Sequence, residues 1–483
     1  MKLAALAAAA GIPLADAGAH NVTGFAIDHR KVAPGTVFGA FQGTAVNGED
    51  FIPAAVAAGA VAVVARPGVT VEGAVHIAAD QPRQAFARLA AQFFTPVPET
   101  IVAVTGTNGK TSTVEMTRQL WRMAGHRAAS IGTLGVTTPD ESVSTGLTTP
   151  DIVTFLANMA GLAREGVSHV AYEASSHGLS QYRNEGLRVR AGAFTNLSRD
   201  HLDYHHTMED YFAAKMRLFA EVVEADGTAV IWADDEWSDR AMAAARARGL
   251  TVLGVGERGD GIRLISRAPG NLGQTLQVAC QDRTWKVELP LIGAYQAANV
   301  LVAAGLVIAT GGDPARTFES LSRLQPVRGR LERAAITASG APIYVDYAHT
   351  PDGLEAAIAA LRPHTRGRLI VVFGAGGDRD AGKRPEMGRV VAGQADVAIV
   401  TDDNPRGEDP AAIRAAVLAG APGATEIGGR REAIAAAVAM AARDDIVLIA
   451  GKGHEQGQII GRGETMRVLP FDDVTVAREC AQP

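Results

Sequence analysis

Short apolar runs alternate with helix-like segments along most of the chain, as expected of parallel sheets covered by helices. In the middle of the chain the runs IVAVTG, HVAYEAS, AGAFTNL and TAVIWAD each lead into a more polar segment. Nearer the C-terminus the runs PIYVDYA, RLIVVFGAGG, VAIVTDDN and DIVLIAGKG repeat this arrangement. The pattern predicts an α/β protein whose chemistry lies in the loops at the carboxyl ends of its strands.

Two interruptions divide this pattern into three segments. The Pro-bearing stretch FFTPVPET ends near residue 98, and a polar stretch follows Pro326. Within the second segment the alternation in RLISR, LQVAC and WKVELP predicts a small antiparallel patch. We predict an N-terminal α/β domain over residues 1–98, a central P-loop domain with a parallel sheet over 99–327, and a C-terminal Rossmann-like α/β domain over 328–483.

Composition narrows the class of protein and of partner. The chain has 483 residues, is 47% hydrophobic and carries a formal charge of −6, which is typical of a globular protein. It has no basic block that would suit nucleic acid, and no stretch near the ~20 apolar residues needed to insert into a membrane. Its two cysteines, Cys280 and Cys480, form no disulfide framework. We therefore expect a cytoplasmic protein. A monomer is expected as well, although no feature of the sequence determines the oligomeric state.

The stretch IVAVTGTNGKTST, residues 101–113, joins an apolar strand to a Gly-bearing loop and a helix-compatible run. This order predicts an anion site, because free backbone N–H groups and the helix dipole point at the ligand. Lys110 would add a charge for terminal phosphates, and the hydroxyl of Thr111 could bind Mg²⁺. Val104 stands where the general P-loop has its first Gly, so the loop is a short form. The alternative is an ordinary strand-to-helix turn.

Two further loops should converge on this site, because they follow strands of the same predicted sheet. Glu173, Ser175 and His177 follow one strand, and the segment SRDHLDYHH, which contains His201, follows the next. Glu173 or His201 could hold Mg²⁺ between phosphates and substrate, although a His- and Asp-rich turn is also common on surfaces. Lys215 lies in an amphipathic helix, and its spacing alone predicts a solvated lysine.

The third segment places charged residues after three predicted strands. A dinucleotide fingerprint would need Gly at position 379, which is Arg, so that cofactor is poorly supported. The loops instead suit a zwitterion, with guanidinium for a carboxylate and carboxylate or amide oxygen for an ammonium. The residues concerned are Arg379, Lys383, Arg384, Asp403, Asn404, Arg406, Lys452, His454 and Glu455. The alternative for each loop is a turn with exposed charges.

Taken together, these motifs resemble the Mur ligases of peptidoglycan synthesis, and most of all the MurE type, over nearly the whole chain. The first motif alone would also fit folylpolyglutamate synthases and cyanophycin synthetases, whereas SSHGL with DNPR and GKGHE narrows the likeness. The motifs are TGTNGKTS (105–112), EASSHGL (173–179), TNLSRDHLDYH (195–205), Lys215 in its helix, VDYAHTPDGL (345–354), GDRDAGKRP (377–385), DNPR (403–406) and GKGHE (451–455).

This resemblance implies an ATP-dependent amide ligase with Mg²⁺, whose substrates are ATP, a UDP-N-acetylmuramoyl dipeptide and meso-diaminopimelate. It implies that ATP contacts Gly106, Thr107, Asn108, Gly109, Lys110, Thr111, Ser112, Asn299, Arg330 and Asp346. It implies that the uridine nucleotide substrate contacts His29, Thr148, Thr149, Ser175, Gln181 and Arg183. Mg²⁺ would be held by Thr111, Glu173, His201 and Lys215, the lysine being N-carboxylated (a carbamate). Lys110, Lys215 and His201 would be the catalytic residues.

For the amino acid, the resemblance implies a pocket of Arg384, Asp403, Asn404, Pro405, Arg406, Gly451 and Glu455. Arg406 would bind the second carboxylate of diaminopimelate, and lysine-adding relatives lack this Arg. The chain departs from the family pattern at His29, where Ser is usual, and at Leu147, where a polar residue is common. The alternatives are a sister ligase that adds lysine, a nucleotide-regulated binding protein without ligase activity and, more weakly, a dinucleotide oxidoreductase.

Overall fold

The computed structural model describes residues 1–14, 19–43, 46–138, 140–143, 148–270 and 273–482. Its strands form three main sheets that follow one another along the chain, and a separate two-stranded ribbon. The proposed domain limits at residues 98 and 327 both fall in connections between sheets. Across the described residues, no helix combines the length and apolar character needed to cross a membrane.

The first sheet has four parallel strands in the order β1-β2-β3-β4, and Phe25 and Phe86 pack edge to face in its core. Its strands are β1 (Gly24–Ala26), β2 (Thr36–Gly39), β3 (Ala60–Ala65) and β4 (Val75–Ala78). The helices of this region are α1 (Leu3–Ala9), α2 (Ile52–Ala57) and α3 (Pro82–Phe93). Leu3 and Leu6 of α1 are fully buried, so this short helix is part of the core.

The second sheet has eleven strands, with a parallel centre and antiparallel edges. Its strands are β5 (Thr100–Thr105), β6 (Ala128–Gly132), β7 (Gly135–Thr137), β8 (Ser142–Val143), β9 (His169–Glu173), β10 (Val189–Phe194), β11 (Val223–Trp232), β12 (Thr251–Gly256), β13 (Ile262–Pro269), β14 (Gln274–Cys280) and β15 (Arg283–Leu289). β10, β5, β9 and β6 are parallel neighbours in that order, and β13, β14 and β15 form the predicted antiparallel patch.

The helices of this central region lie mostly between the parallel strands, as the alternating pattern predicts. They are α4 (Lys110–Met123), α5 (Ile152–Arg164), α6 (Ser176–Ser180), α7 (Leu202–His205), α8 (Met208–Arg217), α9 (Ser238–Ala247), α10 (Ala294–Ala309) and α11 (Pro314–Ser320). The apolar helix α10 is buried over most of its length and packs against α4, β11 and β12. The helix that starts at the phosphate loop is therefore held by a second, buried helix.

The third sheet has six strands in the order β16-β17-β21-β18-β19-β20, all parallel except β16. Its strands are β16 (Glu332–Ile336), β17 (Pro342–Asp346), β18 (Leu369–Phe373), β19 (Val397–Val400), β20 (Thr425–Glu426) and β21 (Ile446–Ala450), and β22 (Gly457–Ile460) with β23 (Arg467–Pro470) forms the separate ribbon. The helices are α12 (Pro351–Leu361), α13 (Lys383–Gln394), α14 (Pro410–Leu418), α15 (Arg430–Met440) and α16 (Asp473–Ala481). The fold class is the predicted one.

Candidate active site

The loop between β5 and α4 can adopt its path only because two of its residues are glycines. A side chain at Gly106, where φ is +148°, would place its Cβ 1.9 Å from Thr195 Oγ1. A side chain at Gly109, where φ is +84°, would place its Cβ 2.3 Å from Asn299 Oδ1. The loop is thus pressed between the end of β10 and helix α10, with a left-handed residue just before α4.

The loop leads directly into the first turn of α4, whose backbone N–H groups can bind an anion. The first N–H groups of a helix have no partners within it, so the turn that begins at Lys110 offers several donors to an anion. The Lys110 ammonium donates to the carbonyls of Gly106 and Thr107 at 2.9 and 2.7 Å, and burial lowers its pKa. The Asn108 N–H donates to Asn196 Oδ1 at 2.8 Å, which fixes the tip of the loop. Residues 106–112 form one continuous anion cradle.

An acidic side chain meets this cradle, as predicted from the strand order. Thr111 Oγ1 donates to Glu173 Oε1 at 2.9 Å, and the Thr133 N–H donates to the same oxygen at 2.7 Å. The Arg330 guanidinium, from the third sheet's region, donates to Thr111 Oγ1 at 3.1 Å. Hydroxyl and carboxylate oxygens at the end of a phosphate loop are ligands that Mg²⁺ prefers, so the donor set fits that ion.

Lys215 is not the solvated lysine that its helical spacing predicted. Its side chain is fully buried, and its ammonium donates to the Gly106 carbonyl at 2.7 Å while lying 4.3 Å from the centre of the Tyr211 ring. Burial, reinforced by the charge of Lys110, lowers its pKa well below the usual value. The local prediction was wrong because α8 turns this face towards the phosphate loop, a contact between residues far apart in sequence. The resemblance had singled out this residue.

His201 lies beside the cradle on a loop whose backbone is left-handed at this residue, with φ +54°. Its Nε2 lies 3.6 Å from Asp200 Oδ2, and its ring meets the His177 ring edge to face. Partial burial lowers the pKa of His201 to about 4, so the ring is neutral at pH 7 and can act as a metal ligand. Among the described residues, no group of three or more His, Cys, Asp or Glu side chains is placed to hold a metal. The Thr111 hydroxyl and a modified Lys215 would add ligands of other types to a Mg²⁺ site here.

Five of the residues predicted to contact the uridine nucleotide substrate form one connected group. Thr149 Oγ1 donates to Ser175 Oγ at 2.9 Å, and the Arg183 guanidinium donates to the Thr149 carbonyl at 2.9 Å and to Gln181 Oε1 at 2.7 Å. Thr148 Oγ1 accepts from Thr133 Oγ1 at 3.1 Å, which joins the group to the residues around Glu173. This group lies along one side of the phosphate loop.

His29 is placed in a different part of the molecule. It belongs to a helical turn of the first region and stacks on Phe51, with the ring centres 4.3 Å apart. That His29 contacts the uridine nucleotide substrate stays a prediction. Leu147, the second departure from the family pattern, lies outside the described residues.

The residues predicted to contact the nucleotide from outside the loop sit at the junction of the second and third regions. Asn299 is buried against Gly109, and the Arg330 guanidinium lies 4.5 Å from the centre of the Tyr347 ring. Asp346 accepts from the Leu331 N–H at 2.7 Å, and burial raises the pKa of this carboxyl. Asp346 therefore also fixes the backbone next to Arg330.

The loops after β19 and β21 come together at the carboxyl edge of the third sheet. Asn404 Nδ2 donates to Glu455 Oε2 at 2.8 Å, and Asn404 Oδ1 accepts from the Lys452 ammonium at 2.8 Å. Lys452 also lies 3.3 Å from Glu455 Oε2 and 3.4 Å from Asp403 Oδ1, with its side chain fully buried. Sequence reasoning had noted the charge of Lys452 without a role, since no local pattern shows that it is buried.

Arg406 projects from the same loop, in a left-handed backbone conformation with φ +50°. Its guanidinium donates to the Gly377 carbonyl at 3.0 Å. A Cβ at Gly376 would lie 2.8 Å from Arg406 Nη1 and 3.9 Å from Arg379 Cγ, so both arginine side chains pass this glycine. Pro405 is buried beneath them.

Arg384 is differently placed from the other residues predicted to bind diaminopimelate. It is buried, and its guanidinium forms a two-point ion pair with Glu408, with distances of 2.9 and 2.8 Å. Arg384 also donates to the Gly376 carbonyl at 3.3 Å, the same glycine that the Arg406 and Arg379 side chains pass. Arg379 lines the cleft, and the role of Arg384 in binding diaminopimelate stays a prediction.

One cleft of about 1460 Å³ is lined by the loops after β19 and β21, by the group around Arg183 and by Thr133, whose N–H donates to Glu173 beside the phosphate loop. We call residues 106–112 with Glu173 the phosphate wall, and residues 403–406 with 451–455 the amino-acid wall. Residues lining the cleft include Thr133, Thr148, Thr149, Ser175, Arg183, His201, Arg379, Lys383, Asp403, Asn404, Arg406, Gly451 and Glu455. The cleft thus lies between the second and third regions and is bordered by the group around Arg183.

Comparison with known proteins agrees with this arrangement. Residues 21–94 match the profile "Mur ligase family, catalytic domain", residues 104–307 "Mur ligase middle domain" and residues 329–453 "Mur ligase, glutamate ligase domain". A protein of Zymomonas mobilis subsp. mobilis is 64% identical over 95% of both chains, and one of Bradyrhizobium diazoefficiens is 54% identical over 94% of this chain and 93% of its own. Both are named UDP-N-acetylmuramoyl-L-alanyl-D-glutamate–2,6-diaminopimelate ligase.

Solved structures of Mur ligases also resemble this chain. A structure titled as UDP-N-acetylmuramoyl-L-alanyl-D-glutamate–2,6-diaminopimelate ligase is 34% identical, with a TM-score of 0.69 over 95% of this chain and 94% of its own. MurF from Acinetobacter baumannii, 18% identical, shares the fold with a TM-score of 0.65 over 93% of this chain and 95% of its own. The chain belongs to the Mur ligase family.

Proposed function

We propose that this protein joins meso-2,6-diaminopimelate to UDP-N-acetylmuramoyl-L-alanyl-D-glutamate in an ATP-dependent ligase reaction of peptidoglycan precursor synthesis. The observation that carries the proposal is a cleft lined by the amino-acid wall and by Thr133, whose N–H donates to Glu173 of the phosphate wall at 2.7 Å. A phosphate cradle activates a carboxylate, and a charged pocket beside it presents an amine. The names of the relatives, which are 64% and 54% identical, support the same reaction.

In the first step an oxygen of the D-glutamyl γ-carboxylate bonds to the γ-phosphorus of ATP, and the bond from that phosphorus to ADP breaks. Phosphoryl transfer of this kind depends on positioning and on charge stabilisation, and it needs no protein nucleophile. The N–H groups of residues 106–112 and the Lys110 ammonium would bind the phosphates, with Asn299, Arg330 and Asp346 around the nucleotide. This step would produce an acyl phosphate and ADP.

Mg²⁺ would neutralise charge on the phosphates, and this chain offers Thr111, Glu173 and His201 to hold it. Lys215 would join that set as a carbamate, formed when its amine takes up carbon dioxide and loses a proton. A carbamate forms from the neutral amine, and burial of Lys215 favours that neutral form. The modification would replace a cation 2.7 Å from the Gly106 carbonyl with an anion suited to a metal ion.

In the second step the amine of diaminopimelate attacks the acyl carbon, the carbon–oxygen bond to phosphate breaks, and the amine loses a proton. The opposite end of diaminopimelate is a zwitterion, and the amino-acid wall offers charges of both signs to it. Arg406 and Arg379 would bind its carboxylate, while Asp403 and Glu455 would bind its ammonium. Thr148, Thr149, Ser175, Gln181 and Arg183 would hold the nucleotide-linked dipeptide.

The main alternative is a sister ligase that adds lysine. Lysine has no second carboxylate, so a pocket built for it gains nothing from a pair of guanidinium groups such as Arg379 and Arg406. A nucleotide-regulated binding protein without ligase activity is the alternative from another class. It would hydrolyse ATP slowly, whether or not an amino acid is present.

The test is phosphate release from ATP with the UDP-linked dipeptide and one amino acid at a time. We expect strong stimulation by meso-diaminopimelate and little by lysine or glutamate. Arg406→Ala should raise KM for diaminopimelate by about tenfold or more, and should leave KM for ATP unchanged. Arg431→Ala, at an exposed arginine on α15 that pairs with Glu479, is the matched control. Failure of diaminopimelate to stimulate the wild-type protein would exclude the proposed reaction.

Two further features stay predictions, namely a monomeric state and a cytoplasmic location. Light scattering on the purified protein, with and without substrates, measures the first. Fractionation of cells that produce the protein measures the second.

A further inference from the structure

We propose that Lys452 is a positioning residue that arranges Asp403, Asn404 and Glu455 to bind the non-reacting ammonium of the amino acid. The inference rests on the function proposed above and concerns a residue to which that mechanism gives no role. Lys452 lies two residues beyond the end of β21, and its side chain is 0% exposed. It therefore cannot act by contact with a ligand in the cleft.

Three acceptor oxygens lie around the Lys452 ammonium. These are Asn404 Oδ1 at 2.8 Å, Glu455 Oε2 at 3.3 Å and Asp403 Oδ1 at 3.4 Å. An ammonium carries three N–H donors, so the set is complete. One side chain thus ties the loop after β19 to the loop after β21.

The network also fixes which way the Asn404 amide points. Asn404 Oδ1 accepts from Lys452 and from the Ile459 N–H at 2.9 Å, while Nδ2 donates to Glu455 Oε2 at 2.8 Å. The reversed amide would set its NH₂ against two donors and its oxygen against a carboxylate. Lys452 therefore holds the Glu455 carboxylate both directly and through Asn404.

The second oxygens of the two carboxylates stay outside this network. Asp403 Oδ2 faces the backbone at Gly451, where a Cβ would lie 3.2 Å away and where φ is +118°. Glu455 Oε1 is likewise not among the atoms that Lys452 and Asn404 contact. Since Asp403, Gly451 and Glu455 all line the cleft, these two oxygens are the available acceptors for an ammonium.

Charge explains why a buried cation is needed. Two carboxylates held by one ammonium at 3.3 and 3.4 Å would repel each other without it and would move apart. With Lys452 the group of three carries one net negative charge, which a single ligand ammonium balances. The guanidinium of nearby Arg430 forms its hydrogen bonds elsewhere, with Asp473 at 2.6 Å and with the Ala450 carbonyl at 2.9 Å.

The experiment is a double-mutant-type cycle, in which one change is made in the protein and the other in the ligand. KM is measured for diaminopimelate and for 2-aminopimelate, which keeps one amine to react and lacks the other. In the wild-type protein we expect KM for 2-aminopimelate to be higher by at least about tenfold, the loss of a charge-assisted hydrogen bond. In Lys452→Met we expect that ratio to fall to within about threefold of unity, with KM for ATP unchanged.

Arg431→Met, an exposed cation of the same region, should preserve the wild-type ratio, and thermal unfolding shows whether each variant is folded. If Lys452→Met does not fold, Lys452→Gln repeats the cycle with a donor but no charge.

A rise in both KM values with the ratio preserved would show that Lys452 only supports the fold, and would overturn the proposal. An unchanged or lower KM for diaminopimelate in Lys452→Met would also overturn the proposal. Failure of the proposed function would appear separately, as a wild-type protein that uses neither amino acid.

Discussion

The phosphate wall and the amino-acid wall are built by different means. The loop of the phosphate wall, residues 106–112, is one continuous stretch of chain, and its donors are mainly backbone groups exposed by close contacts at Gly106 and Gly109. The amino-acid wall joins two loops about fifty residues apart, and its binding groups are charged side chains linked through Lys452. The phosphate wall depends on the backbone conformation of its loop, whereas the amino-acid wall depends on a balance of positive and negative side chains.

The difference follows from the ligands that each wall would take. A phosphate is met by partial charges on N–H groups, which are neutral overall and need no counter-ion when buried. An amino acid carries full charges of both signs, so its pocket must hold guanidinium and carboxylate groups near one another. Such groups stay in place only when further buried charges hold them, as Lys452 holds Asp403 and Glu455.

The largest expected effect is on the phosphate wall. Lys110→Met should lower kcat by about a thousandfold, because the charge that stabilises the transferring phosphoryl group is lost. KM for diaminopimelate should change little, since Lys110 is not part of the amino-acid wall. Steady-state kinetics with each substrate varied in turn measures both values. Lys286→Met, at an exposed lysine of the same region, is the control. A large rise in KM for diaminopimelate in Lys110→Met would show that the two walls do not act separately.

A second pair of variants separates two arginines of the third region. Arg379→Met should raise KM for diaminopimelate by about tenfold, because Arg379 lines the cleft beside Arg406. Arg384→Met should instead lower the free energy of unfolding by about 1 kcal/mol, because it breaks the two-point ion pair between the buried Arg384 guanidinium and the partly exposed Glu408. Kinetics and denaturant unfolding of both variants give the comparison. A stable Arg384→Met protein with a raised KM would restore Arg384 to the pocket, as first predicted from sequence.

The smallest expected effect concerns the opposite end of β9, the strand that ends at Glu173. Burial lowers the pKa of His169, the first residue of this strand, to about 4, with a smaller contribution from His126. The unfolded chain takes up a proton near pH 6.5 that the folded His169 resists, so its contribution to stability is present above pH 6.5 and is lost as the pH falls towards 4.

His169→Gln should therefore weaken the loss of stability between pH 7 and pH 5, by at most about 2 kcal/mol. The change should leave kcat at pH 7.5 unaltered, because His169 is not among the residues that line the cleft. Denaturant unfolding at several pH values measures the difference between the two proteins. A variant with the same pH dependence as the wild type would contradict the assignment, and a large loss of activity would show that the two ends of β9 are coupled.

Part of the site could be predicted from local sequence because local rules govern it. A strand, a Gly-bearing loop and a helix start define the phosphate wall within residues 100–112, and the strand order places Glu173 next to it. The same rules predicted that the loops after β19 and β21 would meet at the edge of their sheet. Strand and helix patterns likewise predicted the central parallel sheet and its antiparallel patch.

What sequence alone determined was therefore the fold class, the phosphate loop and the set of loops that carry the charges. Tertiary structure decided which charged side chains face the cleft and which are buried in pairs. Lys215, Arg384 and Lys452 have ordinary local surroundings in the sequence, yet their ammonium or guanidinium groups meet Gly106, Glu408 and Asp403, partners 24 to 109 residues away. Burial and Coulomb attraction depend on distance in space, and only the folded chain sets that distance.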